Sequence, residues 1–136
     1  MIIVDTCVWS LALRRNIIQT SSLVVIEFEQ LIRSYKVQLL GPVRQEILSG
    51  IRSKMQFGKL KKQLSEFPDL PLITEDHENA AEYFNFCRAK GIQGSNTDYL
   101  LCAVAKRCGF AIYTTDKDFL LFSKHLPIKL HKPEHI

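Results

Sequence analysis

Long hydrophobic runs are absent from this chain of 136 residues. No apolar stretch approaches the roughly 20 residues that a helix needs to cross a bilayer. The apolar run Met1 to Val4 is interrupted by Asp5, before the hydrophobic segment of a signal peptide could form. We therefore expect no membrane segment and a cytoplasmic protein.

Cysteine is scarce, and its spacing is not that of a metal or disulfide framework. The chain contains 46% hydrophobic residues, enough for a core that needs no cross-links, and no C-x-x-C pair. We predict four reduced core thiols: Cys7, Cys87, Cys102 and Cys108.

Histidine is equally sparse, and no histidine belongs to a recognisable motif. We expect surface positions for all four, which are His77, His125, His131 and His135. The last two are four residues apart and could bind a metal adventitiously. They belong to residues 131–136, which we predict to be a frayed tail after a single domain of residues 1–130.

Acidic residues are outnumbered, with 14 Asp and Glu against 18 Lys and Arg, a formal charge of +4 and a pI near 8.9. This balance modestly favours a polyanionic partner, although ordinary solubility charge explains it equally well. Composition alone does not decide between the two.

Hairpin turn signals are missing between the predicted strands, which alternate with helices instead. We predict clear strands at 2–5, 37–40 and 110–114 and weaker ones at 70–74 and 128–130. The predicted helices are 6–13, 22–34, 41–50, 55–67, 76–90, 97–108 and 116–124. This alternation predicts an α/β protein, a three-layer α/β/α sandwich with a central parallel sheet.

Carboxylates stand where the predicted strands end. Asp5 closes the first strand, Glu46 lies just beyond the second, Asp116 follows the 110–114 strand, and Asp98 starts a helix. Ligands of open parallel sheets bind at this edge. Two carboxylates about 5 Å apart repel by roughly 3 kcal/mol at an effective dielectric near 20. Such a cluster needs protons or a cation, and oxygen-only ligands suit Mg²⁺ or Mn²⁺ and phosphoryl chemistry.

Each acid also has a simpler explanation. Asp98 could cap its helix together with Ser95, and Asp116 could cap the helix that follows it. Glu46 could be a solvated first-turn acid beside Arg44. Asp5 is the hardest to explain this way, because an acid closing a buried strand is unfavourable unless it is paired or coordinated.

Four motifs in order carry a family resemblance from Ile2 to about Leu130. They are IVDTCVW at residues 3–9, V-x-x-E-I at 43–47, D-x-x-x-C-A-x-A at 98–105, and YTTDKDF at 113–119. With these motifs the chain resembles the PIN domain, most closely the VapC toxins of bacterial and archaeal toxin-antitoxin operons. Cys102 stands where relatives usually have Ala, which fits a packed helix.

The resemblance implies a site of four acids, Asp5, Glu46, Asp98 and Asp116, that holds one or two Mg²⁺ or Mn²⁺ ions. Thr6 and Thr114 match positions where relatives often have small hydroxyl residues that orient the acids or a water. An acid at the position of Asp118 occurs less regularly in the family. We expect Asp118 either to support the metal ligands from outside or to start a helix.

The implied activity is endoribonuclease cleavage, the hydrolysis of RNA phosphodiester bonds by a metal-activated water. Relatives often cut tRNA or ribosomal RNA. The resemblance also implies a homodimer and a cognate antitoxin that covers the acidic pocket and links the pair to operator DNA. Exposed apolar residues such as Trp9, Leu11 and Leu13, or Phe28 and Leu31, could supply the groove for that antitoxin, although most of them will simply be core.

Basic residues cluster between Ile51 and Lys62, a stretch without any acid. Its members Lys54, Lys59, Lys61 and Lys62, with Arg52, could grip RNA phosphates near the site, or could form a solvated helix face. Arg14 and Arg15, which follow the first predicted helix, are further candidates for RNA contact.

Two other functions compete with the ribonuclease. A phosphatase of the haloacid dehalogenase type needs a second acid two residues after the first, and Cys7 stands there instead. A non-catalytic PIN-like module would bind RNA or protein without cutting, which the presence of all four acids disfavours.

Overall fold

The computed structural model of the protein describes residues 1–13 and 22–133. In this part of the chain the elements, in order, are β1 (Ile2–Val4), α1 (Thr6–Leu13), α2 (Leu23–Arg33), β2 (Val37–Gln38), α3 (Gly41–Leu48), α4 (Lys54–Leu64), α5 (Thr74–Ala89), α6 (Asn96–Cys108), β3 (Ala111–Tyr113) and α7 (Asp118–His125). None of these helices is long and apolar enough to cross a bilayer.

The three strands form one parallel sheet in the order β2-β1-β3. Ile2 is in register with Val37 on one side and with Ala111 on the other. Because β1 is the central strand, its three residues are buried on both faces, which explains their apolar character. The predicted α/β sandwich with a central parallel sheet is confirmed.

Among the described helices, α6 has the most buried residues. Seven consecutive residues, Tyr99 to Ala105, are buried, and Cys102 is fully enclosed. The helix ends at Gly109, whose positive φ of 71° gives the left-handed turn that glycine adopts without strain. The buried helix predicted here is confirmed.

Two predicted strands are absent from the described residues. The prediction for 70–74 is wrong: Asp69 makes one bridge to Leu39, and α5 already starts at Thr74. Pro68 and Pro71, which lack a backbone N–H, limit pairing there. The strand predicted at 128–130 is reduced to a single bridge between Ile112 and Leu130.

The surface position predicted for His131 is wrong, because this residue is partly buried and bonded to two other segments. Of the predicted tail, only residues 131–133 are described. The backbone N–H of His131 donates to the carbonyl of Ile112 at 2.8 Å. Its Nε2 lies 2.7 Å from Oε2 of Glu27, a residue of α2 with 3% exposure. His77 and His125 are exposed as predicted, whereas His135 lies outside the described residues.

Candidate active site

Asp5 emerges directly from the end of β1 and is buried, with 6% of its surface exposed. Its backbone N–H donates to the carbonyl of Tyr113, which ties it to β3. One carboxylate oxygen, Oδ1, accepts the backbone N–H of Thr6 at 2.8 Å. The other, Oδ2, accepts the hydroxyl of Thr114 at 2.8 Å. Donors from two elements therefore fix the orientation of this carboxylate.

Glu46 is linked to Asp5 through Thr6. The Thr6 hydroxyl donates to Oε1 of Glu46 at 2.6 Å, so one residue binds both acids. The first-turn explanation of Glu46 is wrong, because Glu46 is the sixth residue of α3 and Arg44 instead pairs with Asp69 at 3.0 Å. Glu46 is exposed, unlike Asp5.

Thr114, which follows β3, links Asp5 to Asp116 in the way that Thr6 links Asp5 to Glu46. Its hydroxyl donates to Asp5 and accepts the backbone N–H of Asp116 at 3.0 Å. Oδ1 of Asp116 in turn accepts the backbone N–H of Asp118 at 2.9 Å, at the start of α7. Asp118 is exposed and begins the helix.

Asp98 does cap its helix, as the simpler explanation proposed. The Ser95 hydroxyl accepts the Asp98 backbone N–H at 3.1 Å, and Oδ2 of Asp98 accepts the Ser95 backbone N–H at 3.0 Å. This reciprocal capping box holds the start of α6 and leaves Oδ1 of Asp98 outside it. Capping and membership of an acid cluster are compatible.

Electrostatic coupling joins three of the four predicted acids. Burial raises the pKa of Asp5, hydrogen bonds from Thr114, Thr6 and Cys7 oppose that rise, and the charge of Asp116 adds to it. Burial also raises the pKa of Asp98, where the charges of Asp5 and Asp116 act in the same direction. Each of these two carboxylates would therefore be easier to ionise beside a cation.

The acids offer oxygen ligands to a metal ion, but the described side chains do not form a complete coordination site. Within residues 1–13 and 22–133, no group of three or more His, Cys, Asp or Glu side chains is arranged to hold an ion. Among the ion pairs that join described residues, none involves Asp5, Glu46, Asp98 or Asp116. Carboxylate ligands suit a hard divalent cation, but these side chains are not arranged to hold one.

Cys7 belongs to the site, although the sequence pattern placed it in the core. Its Sγ lies 3.6 Å from Oδ2 of Asp5 and 3.4 Å from the Thr114 hydroxyl. It also accepts from the Thr115 hydroxyl at 3.2 Å. The available signal was its position in the first turn of α1, two residues after Asp5. Cys87 and Cys102 are buried, Cys108 is partly buried, and all four thiols are free.

The predicted RNA-binding residues are only partly described. Lys54, Lys59, Lys61 and Lys62 are exposed on α4, and of these Lys59 lines a groove that also contains Glu46. Arg14 and Arg15 lie outside the described residues.

Three solved structures share this fold. FitAcB from Neisseria gonorrhoeae aligns with a TM-score of 0.77 at 20% identity over 100% of both chains. VapBC2 from Rickettsia felis, bound to a DNA fragment from their promoter, aligns with a TM-score of 0.74 at 18% identity over 96% of this chain and 98% of that chain. FitAB bound to an IR36 DNA fragment aligns with a TM-score of 0.77 at 20% identity over 100% of this chain and 97% of that chain.

Comparison with curated protein sequences gives no significant match. A family model, described as the PIN domain, matches residues 2–124, which include all four acids, both threonines that bind Asp5 and the whole sheet. The chain therefore belongs to the PIN domain family.

Proposed function

We propose that this protein is a metal-dependent endoribonuclease of the VapC type, the toxin of a toxin-antitoxin pair. One observation carries the proposal: Thr114 joins Asp5 to Asp116 by hydrogen bonds where the chain leaves β1 and β3, and both of these charges act on Asp98 at the start of α6. Glu46 is joined to them through Thr6. PIN domains are generally nucleases, and a basic protein with clustered acids suits a polyanionic substrate that is held near a cation.

One or two Mg²⁺ or Mn²⁺ ions would be held by Asp5, Glu46, Asp98 and Asp116. A bound ion supplies a water of lowered pKa and neutralises charge that develops on the phosphate. Hydrolysis then breaks one phosphodiester bond of RNA, with tRNA or ribosomal RNA as the proposed substrate.

The protein's own contribution is to position and orient groups. Thr6 and Thr114 hold the Asp5 carboxylate through both oxygens, so it does not rotate when an ion or a phosphate arrives. Ser95 holds Asp98 by the capping box. Asp118 supports Asp116 through its backbone N–H, which fits a role at the start of the helix.

The proposed partners are a second copy of the chain and a cognate antitoxin, which would link the pair to operator DNA in the cytoplasm. The motifs of VapC toxins support this, as does the fold shared with a VapBC2 complex on promoter DNA. An apolar groove of about 340 Å³ between α1, α2 and α4, here called the Trp9 groove, offers a place for antitoxin. Its walls include Trp9, Leu13, Phe28 and Phe67.

The test is to incubate the purified protein with total cellular RNA in Mg²⁺ or Mn²⁺ and map new RNA ends. We expect breaks at a small set of sites with the wild type and none with Asp98→Asn. The matched control is Glu82→Gln, which removes one exposed acid of α5 outside the site and should cut as the wild type does. No specific break by folded wild type with either metal would refute the proposal.

The second candidate is a non-catalytic PIN module that binds RNA or a protein. It is favoured by the lack of a ready metal cage among the described residues. Asp5→Asn separates the two functions: it should abolish cleavage by a nuclease, whereas a binding module would never cut and would bind RNA equally well with either residue.

A further inference from the structure

A groove of about 740 Å³ lies between α1, α3 and α4 and reaches Glu46 of the acid site. We call it the Gln56 groove. Its polar walls are formed by Ser10, Glu46, Ser49, Gln56, Lys59 and Gln63. Ligand pockets commonly measure roughly 300–1,000 Å³, so this groove is large enough for a nucleotide.

One face of α4 supplies most of one wall. Gln56, Lys59, Leu60 and Gln63 are spaced by three and four residues, which places them on the same side of the helix. Leu13, Ile51 and Leu60, which are partly exposed, add apolar surface to the groove. The groove thus combines two carboxamides, which both donate and accept hydrogen bonds, with apolar surface and one cation.

The groove itself is lined by one basic residue, Lys59, and one acid, Glu46, but the helix α4 beside it is positive. Besides Lys59, the residues Arg52, Lys54, Lys61 and Lys62 are exposed on or just before this helix. No acid interrupts residues 51–65. A negatively charged strand would be attracted to this helix, and the groove would lead it towards Glu46.

We propose that the Gln56 groove binds one nucleotide of single-stranded RNA next to the phosphate that is cut. Lys59 contacts a phosphate, Ile51 and Leu60 pack against the base, and the carboxamides of Gln56 and Gln63 bind its edge. This inference rests on the proposed ribonuclease function. It identifies the groove as the part of the protein that selects among bases, because phosphate contacts position RNA while edge contacts read it.

The experiment measures binding of fluorescent homopolymeric RNA oligonucleotides, one for each base, in EDTA, where no cleavage occurs. We expect Lys59→Ala to weaken binding of all four by about tenfold and to reduce the slope of log affinity against log salt by about 0.7. The Gln56→Ala, Gln63→Ala double variant should instead bring the four affinities closer together.

Two matched controls remove the same groups elsewhere. Lys124→Ala removes an exposed lysine of α7, and Gln45→Ala an exposed carboxamide of α3, and neither residue lines the groove. Both should bind RNA like the wild type. Thermal unfolding of every variant identifies any that is misfolded. If Lys59→Ala folds poorly, Lys59→Gln, which keeps the aliphatic stem, replaces it.

The proposal is overturned if the groove variants bind like their controls. It is equally overturned if wild type binds none of the oligonucleotides. A cleavage assay in Mn²⁺ separates the two proposals. Groove-dependent binding without cleavage retains the nucleotide site and refutes the ribonuclease, whereas cleavage with groove-independent binding does the reverse.

Discussion

Asp5 is held in an environment that favours binding over stability. It is 6% exposed, burial raises its pKa, and the charge of Asp116 acts in the same direction. Hydrogen bonds from Thr6 and Thr114 compensate only in part, because the net pKa still lies above the ordinary value. Ionised Asp5 therefore destabilises the folded chain at neutral pH until a cation offsets its charge.

Replacing Asp5 by Asn should therefore stabilise the metal-free protein. We expect the free energy of unfolding at pH 7 in EDTA to rise by on the order of 1 kcal/mol, as measured by urea denaturation. Added Mn²⁺ should raise the melting temperature of the wild type and leave that of Asp5→Asn unchanged. Equal stability in EDTA together with an equal response to Mn²⁺ would contradict this account of the site.

Cys7 illustrates what residue identity alone leaves open. In the sequence, Cys7 stands where a haloacid dehalogenase phosphatase has its second acid, which argues against that function. Cys7 was otherwise predicted to be a core residue. The thiol instead contacts Asp5, Thr114 and Thr115, because the first turn of α1 brings the residue two positions after Asp5 back towards the β3–α7 connection. That proximity depends on strand order, which a single motif does not encode.

The helices α5 and α6 are joined by an ion pair between a buried acid and a partly exposed arginine. Asp76 is fully buried and accepts from Arg107 Nε at 2.7 Å and from a second Arg107 nitrogen at 2.9 Å. It also accepts the backbone N–H of Ile73. Burial by itself would raise the pKa of Asp76, but the hydrogen bonds and the charge of Arg107 lower it overall. The pair thus secures the helix that carries Asp98.

Asp76→Asn should remove roughly 2 kcal/mol of stability at pH 7, because hydrogen bonds between charged groups are weakened while water still reaches the partly exposed Arg107. Since the folded pKa of Asp76 is lowered, the stability it contributes is present above the ordinary value of 3.8 and is lost as pH falls through the folded pKa. In urea denaturation, wild type and variant should therefore converge below pH 3.8. Glu75→Gln, which alters an exposed neighbour, is the control, and a pH-independent difference would refute the prediction.

Across the whole molecule, Glu27 and His131 connect segments that are 104 positions apart in the chain. Glu27 lies in α2, and His131 follows the bridge between Leu130 and β3. The ring of His131 also packs edge-on against Tyr113, at 5.2 Å between centroids. The segment after α7 is thereby attached both to α2 and to β3.

A double-mutant cycle with Glu27→Gln and His131→Gln tests this connection. We expect a coupling energy of about 1 kcal/mol from urea denaturation at pH 6, since the pair is largely buried. The exposed pair Glu29 and Arg33, 3.9 Å apart, is the matched control and should couple by roughly 0.3–0.5 kcal/mol. Additive single substitutions at Glu27 and His131 would show that the contact does not stabilise the fold.

Local sequence determined the elements of this protein and the positions of its acids. The apolar runs at β1 and β3 require burial, the Ser95 and Gly109 signals delimit α6, and alternation of strand and helix requires a parallel sheet. Asp5 and Asp116 follow two of those strands, so their meeting at one edge could be predicted before the fold was known.

Tertiary structure alone decided the contacts between distant segments. The 2.6 Å bond from Thr6 to Glu46, the thiol of Cys7 beside Thr114, the contact of His131 with Glu27 and the groove between α3 and α4 all join residues that no local pattern pairs. The physical reason is that periodicity and capping act over a few residues, whereas these contacts depend on how whole helices pack against the sheet.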